Sequence, residues 1–96
     1  MKTALVFSND YLRHETGRHP EQPDRYNAAL TALQADVDLW RELVPLEPRA
    51  ITDAEITRCH DPRMITALDL ACQQAPAHLD PDTAVSAHSA LAARMA

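Results

Sequence analysis

The stretch HETGRHPEQPDR, residues 14–25, interrupts every regular pattern in a chain of 96 residues. It carries the only glycine, Gly17, together with Pro20 and Pro23, and its apolar residues follow neither a helical nor a strand period. With Tyr11, Leu12 and Arg13 it reads as a loop of about a dozen residues, a length that is often functional inside a compact domain. Gly17 permits either a positive φ or a close approach of backbone to ligand, immediately before the stiff His19-Pro20 step. Pro20 and Pro23 then restrict the chain before the next element begins.

Outward from this loop the pattern is regular on both sides. Upstream, TALVF (Thr3 to Phe7) is a short apolar run ending at the turn-prone Ser8-Asn9-Asp10, and reads as the buried first strand of a parallel sheet. Downstream, Tyr26, Ala29, Leu30, Leu33, Val37 and Trp40 fall on one face of a helix that Asp24 is placed to cap. VPLEPRAI (Val44 to Ile51) is extended by Pro45 and Pro48 and holds at most a short or edge strand. Thr52 with Glu55 forms a capping box for a short helix through Ile56 and Cys59. Asp61-Pro62 starts another, with Ile65, Leu68 and Cys72 on its face. Pro76 ends that helix, His78-Leu79-Asp80 reads as extended, and a last helix is expected from Thr83 or Ser86 through Leu91, Ala92 and Met95. That helix is still periodic at Ala96, and a parallel sheet needs several strands covered on both faces. Residues 1–96 are therefore expected to be one partial domain, the N-terminal portion of a larger α/β fold with one short strand followed mostly by helices.

Charge and composition narrow the function. Nine Lys and Arg against 14 Asp and Glu give a net charge of −5 without a basic cluster, so the footprint of a nucleic-acid binder is missing. The apolar start of MKTALVFSNDY is too short for a signal-peptide core, and no run approaches the roughly 20 apolar residues that span a bilayer. A cytoplasmic location and no membrane partner are the expectation. Cys59 and Cys72 show no zinc-finger spacing and read as small core residues.

Chemistry must come from elsewhere. His14 and His19 lie five residues apart beside Glu15 and Glu21, which fits metal binding, a loop whose polar groups fix its own shape, or substrate contact. His78 and Asp80 would share one side of a strand, but two ligands do not hold a catalytic ion. His60 sits at a helix junction and His88 within the last helix, where structural roles suffice. No GxSxG elbow or phosphate-cradling glycine loop is present, which argues against serine-hydrolase and nucleotide chemistry.

Three segments in order carry a resemblance. HETGRHPEQPDR (14–25) resembles the loop of histone-deacetylase and acetylpolyamine-amidohydrolase enzymes in which a histidine, a glycine, His-Pro-Glu, a proline and an arginine follow the first strand. TRCHDPRMITAL (57–68) is similar to the family's Arg-x-His, turn and helix, and LDPDTAVSAHSALAA (79–93) to its Leu-Asp-x-Asp-Thr segment with a Ser-led helix. Met64 stands where many relatives carry an aromatic residue, and Ala87-His88 replaces a more usual Pro-Gly before Ser89.

The resemblance implies an arginase/deacetylase-like parallel-sheet fold, of which this chain would supply about the first quarter to third. It also implies a zinc-dependent hydrolase of acetyl-lysine or acetylpolyamine amides, in which two aspartates and a histidine hold the metal and an adjacent histidine pair assists a bound water. The chain has no adjacent His-His and no Asp-x-His, so no catalytic or metal residue is assigned here, and no zinc is expected to bind it stably. Gly17, His19 and Pro20 are the expected substrate-channel residues, with His14 and Glu21 as further candidates. Acetylated lysine or polyamine would be the partner of the complete enzyme, and self-association through exposed apolar surface is expected of the isolated chain. The competing readings are arginase-like hydrolysis, against which the His-Pro-Glu loop argues, and a small non-catalytic helical interaction module.

Overall fold

The N-terminal apolar run forms β1, Thr3–Val6, in a computed structural model that describes residues 1–96. It pairs in parallel with β2, Leu43–Leu46, placing Thr3 opposite Leu43 and Val6 opposite Leu46. Pro45 lies within β2, where its missing N–H is tolerated because each strand of a two-stranded sheet is an edge. The expected burial of β1 is not reached within these residues: Leu5 is half-buried and Val6 is 49% exposed.

Between the two strands lie a 3-10 turn, Asn9–Arg13, the loop, and two helices where the apolar spacing predicted one. Helix α1, Pro23–Ala35, stops at Asp36, and α2, Val37–Glu42, starts there. The Asp36 carboxylate accepts the Leu39 N–H at 3.0 Å and thereby caps α2. Short polar side chains compete with the helical backbone in this way, so a single aspartate divides an otherwise continuous apolar face. The division lets Trp40 meet Phe7, with ring centroids 6.2 Å apart. Asp24 is not the cap of α1. Gln22 takes that position without a side-chain bond, Pro23 is the first helical residue, and Asp24 sits in the first turn, where its charge complements the helix dipole.

The next two helix starts follow the sequence closely. In α3, Asp53–Ile56, the Thr52 hydroxyl accepts the Glu55 N–H while the Glu55 carboxylate accepts the Thr52 N–H at 2.9 Å. Asp61 caps α4, Pro62–Gln73, by accepting the Arg63 N–H at 2.9 Å. Cys72 is buried on α4, but Cys59 is exposed and is not a core residue.

The last third departs from expectation. Ala77–Asp80 (β3) and Thr83–Val85 (β4) form an antiparallel hairpin, so α5 begins only at Ser89 and runs to Met95. The helical reading from Thr83 fails because pairing with β3 supplies a partner that a local period cannot display. The chain thus holds four short strands in two sheets rather than one strand with helices, while the α/β class and the parallel pair stand.

The buried residues, Ile65, Cys72, Val85, Ser89 and Ala92, lie on α4, β4 and α5. The accessible surface is 7124 Å², against about 5,500 Å² for a compact monomer of this mass. The radius of gyration is 15.4 Å, against about 12.5 Å for a compact domain of this length. Both show a flat assembly whose apolar faces, including Val37, Leu46 and Leu70, are not covered by its own residues.

The capping box also responds to acid. Arg49 donates to both Glu55 oxygens at 2.9 and 2.6 Å, and this fork, with the Thr52 backbone and hydroxyl bonds, lowers the Glu55 pKa from 4.5 to about 2. A lowered carboxylate pKa contributes stability that is full above the ordinary value and is lost as pH falls through the folded one. NMR titration of the Glu55 side chain is expected to give a midpoint near 2, with fraying of α3 in the window between that midpoint and 4.5. Arg49→Ala should move the midpoint upward; a wild-type midpoint at the ordinary value would refute the fork.

Candidate functional site

The loop at residues 14–25 is held against the β3–β4 hairpin and the start of α5 by side chains from three elements. The first attachment is a cluster around Ser86 and Ser89. Ser86 Oγ donates to the Arg13 carbonyl at 3.1 Å and accepts the Glu15 N–H at 3.0 Å. Ser89 Oγ accepts the Ser86 N–H at 2.7 Å and lies 2.6 Å from His14 Nδ1. Ser89 is only 4% exposed, so its hydroxyl depends on these partners rather than on water.

The second attachment is the imidazole of His19. Its Nδ1 accepts the Glu21 N–H at 3.0 Å, which leaves the proton on Nε2 to be donated to Asp82, with Oδ1 at 3.0 Å and the carbonyl at 3.1 Å. The hydrogen bond to the Asp82 carboxylate raises the His19 pKa above the ordinary histidine value, against a smaller opposing effect of desolvation. The loop is also braced internally, where the Thr16 hydroxyl donates to the Glu21 carbonyl and Glu21 pairs with Arg25 one helical turn on.

Gly17 has φ +67, and a Cβ placed on it would meet nothing within 4 Å. Of its two expected uses, the positive φ is the one the structure displays. The tight turn it makes, with the His19 N–H donating to the Gly17 carbonyl at 3.0 Å, brings His19 back over Glu21.

Two clefts flank the loop. A polar one of about 390 Å³ is lined by His14, Thr16, His19, Pro20, Glu21 and Asp82, among others. An apolar one of about 340 Å³ lies between the loop, α1 and α5, with Tyr11, Tyr26 and Ala92 in its wall. His14 and Glu21 border both. In the apolar cleft the Tyr11 and Tyr26 rings meet edge to face at 5.6 Å, and the Tyr11 hydroxyl donates to the Met95 carbonyl at 2.9 Å. Burial and the neighbouring Tyr26 raise the Tyr11 pKa, while the Tyr26 hydroxyl is buried with no partner.

Of the residues singled out from sequence, His14, His19, Pro20 and Glu21 meet at the polar cleft, whereas Gly17 shapes the turn without lining it. A bulge between His78 and Asp80 shifts the register, and Asp80 accepts the Asp82 N–H at 2.9 Å; that bond, with a smaller contribution from the nearby His78, holds the Asp80 carboxyl below its ordinary value. The sequence pattern does not mark Asp82 or Ser86 as partners of the loop. Both act on residues more than 60 positions earlier, and no local period signals such a contact. No group of three or more His, Cys, Asp and Glu side chains converges, so the residues present do not make a zinc-holding set.

The order of strand, glycine-bearing loop, hairpin and Ser-led helix is that of a known domain. Residues 19–96 match the family model described as the histone deacetylase domain, and the chain belongs to that family. It is 37% identical over 98 aligned positions to the uncharacterised protein slr0245 of Synechocystis, covering 97% of this chain and 32% of that one. It is 30% identical to histone deacetylase 15 of Arabidopsis thaliana, covering 98% of this chain and 18% of the relative. The crystal structure of the HDA15 HD domain superposes with a TM-score of 0.86 at 29% identity, covering 98% of this chain and 28% of that one. The chain thus spans about a third or less of the length of these relatives.

Two substitutions test the loop. Asp82→Asn removes the carboxylate that favours the imidazolium and should lower the His19 pKa toward 6.5 in an NMR titration; an unchanged midpoint would break the assignment. Gly17→Ala places a side chain in the left-handed region and should cost about 1 kcal/mol in denaturant unfolding, with Gly17→Asn milder. Equal stability of all three proteins would mean that the turn has another conformation.

Proposed function

We propose that residues 1–96 are the loop-bearing part of a zinc-dependent deacetylase domain that hydrolyses acetyl-lysine or acetylpolyamine amides in the cytoplasm. In this reading Gly17, His19 and Pro20 shape the rim of the substrate channel, and the chain alone is inactive. The superposition of nearly the whole chain on one part of the HDA15 HD domain carries the reading. Zinc, held by residues outside this segment, would supply the Lewis acid for amide hydrolysis. The chain's own share is positional. The Glu21 N–H and Asp82 hold the His19 ring, Gly17 sets the turn, and Pro20 stiffens the cleft wall.

Acetate release from an acetyl-lysine peptide by the 96-residue chain with added zinc should equal that of a metal-free control. Activity above the control would show that the ligands lie within the chain. The coding sequence that follows Ala96 in the genome is expected to contain an adjacent His-His and an Asp-x-His; their absence in all frames would remove the hydrolase reading.

A further inference from the structure

The loop's two histidines, five residues apart, stand in opposite hydrogen-bonding situations, and counting hydrogens decides what each can offer a ligand. Ser86 has one hydroxyl hydrogen, and the Arg13 carbonyl at 3.1 Å can only accept it. The 3.1 Å contact between the Ser86 and Ser89 hydroxyls must then use the hydrogen of Ser89. With that hydrogen spent, the 2.6 Å contact between Ser89 Oγ and His14 Nδ1 must use a hydrogen on Nδ1. The resulting relay runs from His14 Nδ1–H to Ser89, to Ser86, to the Arg13 carbonyl. It leaves each serine oxygen with one bond donated and two accepted, the second acceptances being from the Ser86 and Glu15 N–H groups. No other placement of the hydrogens satisfies all the contacts.

His19 carries its proton on the other nitrogen. The Glu21 N–H can only donate, so Nδ1 accepts and Nε2 donates to Asp82. Both nitrogens of His19 are committed. His14, in contrast, has an unprotonated Nε2 with no partner in the protein, on a half-buried ring that borders both clefts.

We propose that His14 Nε2 is a binding point for a hydrogen-donating ligand group, an N–H or O–H entering either cleft, held in the acceptor form by the Ser89–Ser86 relay. His14, rather than His19, is then the imidazole of the loop that meets a ligand. This assignment is independent of the deacetylase reading, because none of its tests measures acetate release.

The tautomers are read from long-range proton–nitrogen NMR correlations of the chain at about pH 8, where an ordinary imidazole is neutral. His14 should show the Nδ1–H pattern and His19 the Nε2–H pattern, with the exposed His60, whose ring makes no hydrogen bond, as the internal comparison. The same tautomer at both positions, or free-imidazole averaging at His14, overturns the proposal. Diethyl pyrocarbonate, which is attacked by an unprotonated imidazole nitrogen, should modify His14 several-fold faster than His19 by peptide mass spectrometry; equal or reversed rates overturn it. In Ser86→Ala the Ser89 hydrogen is released to bond Nδ1, so His14 should switch to the Nε2–H form and its modification should slow toward that of His19. An unchanged His14 tautomer in that variant would show that the relay does not set it. The wild-type measurements stand whether or not the variant folds.

Discussion

A single buried hydroxyl, that of Ser89, joins the parts of the chain that carry the site. It stands at the first residue of α5, accepts the Ser86 N–H that ends the hairpin, and meets the His14 ring from a segment 75 residues earlier. A polar group this deeply buried must be satisfied by specific partners, and its full set of bonds holds the loop, the hairpin and the helix start in one arrangement. The Asp82 contact to His19 and the Ser86 contacts to Arg13 and Glu15 extend the same seam.

Helix α5 continues this role toward the other side of the molecule. Its backbone takes the Tyr11 hydroxyl at Met95 and the Ile51 N–H at Arg94, and the Arg94 side chain reaches Asp53 and Asp69. Short as it is, α5 is fixed by polar contacts to the 3-10 turn, α3 and α4 rather than by a deep apolar core. The parallel pair β1–β2 lies outside this network and rests chiefly on its own ladder and the Phe7–Trp40 contact. The open faces of the sheet and of α4 agree with a chain that covers about a third or less of its relatives, where a parallel sheet is normally covered on both sides.

Part of the fold was legible because its signals are local. A lone glycine before His-Pro, a Thr-x-x-Glu box and an Asp-Pro helix start each act within a few residues, and each appears in the structure at the position the sequence gives it. The candidate site was only half legible. His14, His19, Pro20 and Glu21 do meet at one cleft, but which imidazole is committed and which is free depends on Asp82, Ser86 and Ser89. Nothing in the spacing of the loop residues carries that information.

The sequence by itself determined the starts of α3 and α4, the turn at Gly17 and the family, because caps, turns and ordered motifs are short-range properties of the chain. Tertiary structure alone decided that Thr83–Val85 is a strand and not the start of a helix, and that the two loop histidines carry their protons on opposite nitrogens. The common reason is partnership: a side-chain oxygen, a strand edge or a serine hydroxyl changes what a residue does only when the fold brings it within hydrogen-bonding distance.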